Sequence, residues 1–179
     1  MLSKLQAKIE AAVRSGRLVR YRVSLEEGEF DLRQLWLRPD IKRLIDSERL
    51  DSRQRAVVKA ALKRFVTGGV LNIITTDCPH REVAVVGDIR ELRGPPPPFL
   101  ELRFKPPRYD LRFFGKSIGR DRLILTSFGM KSLTEKTGEP RLVVADHRRR
   151  CNDFFGQCGF QDKDVPKDIK SSFSNAEFV

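Results

Sequence analysis

The sequence predicts an α+β domain in which a small antiparallel sheet is flanked by helices. Helical periodicity with a capping signal governs much of the first seventy residues, and five short strand-like runs follow between residues 70 and 128. A further helix-compatible stretch begins at Pro140. A length of 179 residues fits one domain with its own core. We expect that domain over residues 1–160, including an N-terminal helical extension, and a polar tail over 161–179 that frays.

Leu2, Leu5, Ile9, Ala12 and Val13 form a stripe at three-and-four spacing, which predicts an amphipathic helix closed by Gly16. Val19, Tyr21, Val23 and Leu25 alternate with polar residues, the pattern of a half-buried strand. Between Phe30 and Ile45 the apolar positions Leu32, Leu35, Trp36, Leu44 and Ile45 suggest two short helical pieces broken at Pro39. Asp51 and Gln54 read as a capping box, Val57, Val58, Ala61, Leu62, Phe65 and Val66 as an apolar face, and Gly68-Gly69 as the stop. Strands are expected over 70–75, 82–92, 100–105, 109–114 and 122–128. The run Pro95 to Pro98 connects two of them, because proline cannot donate to a ladder. In the last helix, Leu142, Val143, Ala145 and Phe154 are the expected buried face, with Arg148 to Arg150 outward.

No apolar run approaches the roughly 18 residues of a membrane span, and Met1 to Ser15 interleaves charges where a secretory signal has an apolar centre. A cytoplasmic protein is the expectation. Cys78, Cys151 and Cys158 make no even framework and no CxxC, which argues against a disulfide scaffold or zinc site. The 35 Lys and Arg against 24 Asp and Glu leave a net charge of +11, which favours a phosphate polymer as partner. There is no GxGxxG, P-loop, HExxH or GxSxG, so no cofactor or metal is expected. His80 and His147 each stand alone and read as structural or surface histidines. Basic residues crowd the expected strands and turns; taken alone, such a face is the solvated side of a sheet.

The segments Leu100-Glu101-Leu102-Arg103, Tyr109-Asp110-Leu111-Arg112-Phe113-Phe114 and Leu123 to Ser132, with Lys136-Thr137, resemble the RelE/HigB toxin family. They match its ELR strand, its R-aromatic strand and its final strand ending in a basic turn, and the likeness spans Asp51 to about Phe155. The resemblance implies a microbial-ribonuclease-like fold and a metal-independent endoribonuclease that cleaves messenger RNA on the ribosome, neutralised by an antitoxin protein. Catalytic candidates by position are Arg103, Arg112, Lys131 and Lys136. Candidate RNA contacts are Arg90, Arg93, Lys105, Lys116, Arg120, Arg148, Arg149 and Arg150. Either the strand ending at Arg93 or that ending at Arg103 could be the ELR strand, and spacing to Arg112 favours the second. Met130 stands where many members have a first Lys, and no Tyr or His follows Lys131 at the place where some members keep an acid/base residue, Lys136 being the nearest substitute. That departure keeps two alternatives open: a RelE-fold RNA- or protein-binding factor of phage origin without catalysis, and a ParE-like gyrase inhibitor.

Overall fold

In the computed structural model, which describes residues 3–76, 89–92, 94–95, 97–104, 111–130 and 140–178, the chain opens with α1 (Lys4–Arg14). The Ser3 hydroxyl caps it by accepting from the Gln6 amide at 3.2 Å. The strand expected over 19–25 is only β1 (Val19–Arg20), and the first of the two helical pieces expected before Pro39 is instead β2 (Gln34–Leu37). Its Leu35, Trp36 and Leu37 are all buried, because layers cover both faces, and an apolar run covered in this way loses the alternation that marks a strand. Pro39 starts α2 (Pro39–Asp46). Then comes α3 (Ser52–Val66), whose capping box has both halves: Asp51 accepts from the Gln54 amide at 2.7 Å, and Gln54 from the Asp51 amide at 3.2 Å. Burying Val58, Leu62, Phe65 and Val66 stabilises this helix by roughly 1.5–3 kcal/mol per side chain.

The remaining elements are β3 (Leu71–Ile74), β4 (Ile89–Leu92), β5 (Phe99–Arg103), β6 (Leu111–Ser117), β7 (Arg122–Met130), α4 (Pro140–Gln157) and β8 (Ala176–Phe178). The strands form one sheet in the order β1-β2-β7-β6-β5-β4-β3-β8. The sheet is therefore larger than expected, and it is mixed. β4 to β7 pair antiparallel, but β2 runs parallel to β7, and β3 runs parallel to both β4 and β8. The architecture is a mixed α/β fold. α2 and α3 pack on one face with Leu35, Leu37, Leu102, Phe113, Leu123 and Leu125, while α1 and α4 pack on the other with Trp36, Phe99, Phe114 and Ile124. At Gly115 the β6–β7 ladder shifts register, and a Cβ there would sit 1.9 Å from the Ile124 carbonyl oxygen, so only glycine fits. No helix among the described residues is long and apolar enough to cross a membrane.

Two expectations about the C-terminal part are corrected. The buried stripe of α4 is His147, Cys151 and Phe155, with Val144 beside it and Cys158 buried in the turn just beyond, whereas Leu142 is 62% exposed. The four-residue spacing is concealed because its first member is a histidine. Residues 161–178 also do not fray: Val165, Ile169 and Phe173 are buried, and β8 closes the sheet edge beside β3.

Arg33 fastens that segment. Its guanidinium, 1% exposed, donates to the carbonyls of Phe65, Gly69, Ser174 and Asn175, and to Asp121 at 3.3 Å. Asp121 adopts φ +58°, an unusual conformation for a non-glycine residue, and accepts from the amide and hydroxyl of Ser174 at 2.8 and 2.7 Å.

Candidate nucleic-acid interface

Strand periodicity decides which basic side chains meet. On β5, Leu100 and Leu102 point to the α2/α3 layer, so Phe99, Glu101 and Arg103 point to the α1/α4 side. The register sets Arg103 opposite Arg112 on β6 and Glu101 opposite Arg90 on β4. Among the described residues, three arginines from three adjacent strands thus share one face with one carboxylate. Arg112 Nε lies 3.2 Å from Glu101 Oε1, both side chains are largely buried, and an Arg112 terminal nitrogen donates to the Leu111 carbonyl at 2.9 Å.

The cluster keeps two positive charges in excess of its carboxylate. Burial holds the Arg103 guanidinium below its ordinary pKa; Glu101 pulls it up, while Arg112 and Arg90 push it further down. The Nε of Arg103 is buried and has no hydrogen-bond partner among the described residues. An unmatched buried donor costs about 1–3 kcal/mol, which an incoming acceptor offsets. Guanidiniums grouped in this way can bind an anion through planar forks.

The other candidates separate. Lys116 lies four residues beyond Arg112 on the same strand, 5% exposed, with its ammonium 2.7 Å from Asn152 Oδ1 on α4 and 5.5 Å over the Phe155 ring. Arg148, expected to face outward, turns inward: it stacks 5.1 Å over Phe99 and donates to the carbonyls of Leu92 and Pro95. Arg149 and Arg150 are exposed as expected, and both pair with Asp146. Arg120 stands at the opposite end of the β6–β7 hairpin from the cluster, 74% exposed and beside Asp121. Arg93, Lys105, Lys131 and Lys136 lie outside the described residues, as does Tyr109.

Neither Phe113 nor Phe114 offers a ring to a base. Phe113 packs edge-on against Phe104, and Phe114 stacks on Phe99 and on His147. His147 is buried, with Nδ1 3.0 Å from the Ser127 hydroxyl. Cys151 is also buried, and burial raises its thiol to about 11, which leaves it unreactive.

Sequence reasoning missed Glu101 as the acidic member of the site, although it lies within the ELR segment. Its partnership with Arg112 depends on cross-strand register, which no local pattern encodes. Comparisons with family models, with curated proteins and with solved structures each find no match.

Proposed function

We propose that this chain is an RNA-acting protein of the RelE/HigB type, binding a single-stranded phosphate backbone on Arg90, Arg103 and Arg112. The observation that carries the reading is the juxtaposition of Arg103 and Arg112 across β5 and β6, with Arg90 on the same face and Glu101 as the carboxylate between them among the described residues. The antiparallel run β4-β5-β6-β7 with α4 across one face also supports it, since the family's core is a helix-flanked antiparallel sheet. On this reading the protein is the toxin of a toxin–antitoxin pair, acting on messenger RNA at the ribosome. An antitoxin with an acidic segment covers the arginine face.

In metal-independent cleavage the 2′-hydroxyl attacks the adjacent phosphate, and charge on the phosphorane must be stabilised while the 5′-oxygen gains a proton. Arg103 and Arg112 take the first task, and Lys131 or Lys136 moves the proton. A second reading, RNA binding without cleavage, is favoured by one observation: Arg112 already engages Glu101 and the Leu111 carbonyl.

The test is affinity for single-stranded RNA across a salt series, paired with mapping of RNA 5′ ends after controlled expression. Combining Arg103→Ala with Arg112→Ala should weaken binding by on the order of 10- to 100-fold and reduce the salt slope by about 1.4, the value for two lost phosphate contacts. An unchanged slope overturns the assignment of these arginines. New 5′ ends in wild type that vanish in Arg112→Ala support cleavage; binding without new ends supports the second reading.

A further inference from the structure

The face that carries the arginines continues past Phe114 into a cleft of about 300 Å³ between α4, the segment before β5 and the turn after α4. Lys116, Arg148, Asn152 and Asp162 are among its polar lining, and Phe155, Phe160 and Pro97 form an apolar wall. We propose that this cleft is a nucleobase subsite, taking an unpaired base of the RNA strand whose backbone lies on Arg90, Arg103 and Arg112. The inference rests on the RNA-binding reading above.

Lys116 is the first argument. Its ammonium has three donors, yet Asn152 is its only hydrogen-bond acceptor among the described residues, and the side chain is 5% exposed. Asn152 is a neutral partner for this buried charge; burial lowers the Lys116 pKa and Arg148 lowers it further, while Cys151 and Asp162 oppose them. A carbonyl or ring nitrogen on a base edge supplies a further acceptor.

The wall is the second. Arg148 locks the segment before β5 in place through the Leu92 and Pro95 carbonyls. Gly94, at φ +149°, lets Arg148 approach, since a Cβ there would come within 2.6 Å of the guanidinium. The result is an apolar wall beside a donor, which suits a flat neutral ring.

Continuity is the third. Arg112 and Lys116 are four residues apart on one strand and reach the same side of the sheet, so roughly 13 Å separates them along β6. A short single strand spans this with its phosphates on the arginines and a base turned into the cleft.

The experiment measures the affinity of an RNA octanucleotide and of the same octanucleotide made abasic, which keeps the phosphates and removes the bases. Lys116→Met should weaken the intact RNA about tenfold, the scale of one lost base contact, and change the abasic strand by less than about twofold. Asn152→Ala, on the exposed side of α4, should show a smaller loss with the same base dependence, and it decides the matter if Lys116→Met does not fold. Equal weakening of both strands makes Lys116 a plain charge and overturns the subsite, as does no weakening of either. Wild-type protein that binds both strands alike overturns the subsite alone. Wild-type protein that binds neither overturns the RNA-binding reading, and the subsite falls with it.

Discussion

Arg33 is a buried arginine, and the Arg90–Arg103–Arg112 cluster runs from exposed Arg90 through half-buried Arg103 to buried Arg112; the two sites are completed differently. Arg33 spends its donors on four backbone carbonyls and the Asp121 carboxylate, all supplied by the fold. The cluster sets three guanidiniums against one carboxylate and leaves the Arg103 Nε unmatched among the described residues. A buried charge that the fold completes holds structure together, whereas one left under-compensated is available to a ligand. The same residue type is thus completed by the fold at one place and left with excess charge at another, where the proposed binding surface lies.

The clasp gives the largest effect by which this contrast can be broken. Arg33→Leu strips the donor from the Phe65, Gly69, Ser174 and Asn175 carbonyls and from Asp121, releasing the C-terminal segment from β3. Urea unfolding should show a loss of about 3–5 kcal/mol, the range for breaking a buried charge network. The protein that remains folded should bind RNA with unchanged affinity. A loss below about 1 kcal/mol, the size of a surface pair, would remove the distinction between the two sites.

A smaller effect belongs to Glu101. Glu101→Gln keeps an acceptor for Arg112 but removes the cluster's one negative charge among the described residues. Affinity for single-stranded RNA should rise about fivefold, close to 1 kcal/mol, while the free protein loses about 1–2 kcal/mol of stability. Bound RNA should therefore raise the melting temperature more in the variant than in wild type. Weaker binding by the variant would mean that Glu101 holds Arg112 in a productive orientation and does not compete with phosphate.

The cluster and the clasp also differ in how far they can be read from residues alone. Alternation along β5 and β6 places Arg103 and Arg112, and turn-formers between short apolar runs mark the antiparallel centre, because these signals are local. The capping box of α3 is legible for the same reason. The clasp is not: it joins residues 33, 121 and 174, and its strands meet in parallel across long connections. Val165, Ile169 and Phe173 are scattered among Lys163, Asp164, Lys167, Asp168 and Lys170, so composition conceals a segment that packs as core. The helical stripe of α4 was misread for a related reason, since His147 occupies a core position.

His147 adds a third way of burying a basic group, and it yields the smallest prediction. Its neighbour Asp146 is held by Arg149 and Arg150, while the ring stacks 4.2 Å from Phe114 and bonds Ser127. Burial lowers its pKa, Arg150 lowers it further, and Asp146 opposes them. The folded protein therefore keeps the ring neutral where the unfolded chain, with a pKa near 6.5, takes up a proton. Its contribution is fully present above about pH 6.5 and is lost as pH falls below it, at no more than about 1.4 kcal/mol per pH unit. Urea midpoints of wild type and His147→Gln should consequently diverge between about pH 7.5 and pH 5.5, wild type falling further. Parallel curves would mean that the ring finds a compensating partner when protonated, as Arg112 does in Glu101, and would place His147 within the charged cluster instead of beneath it.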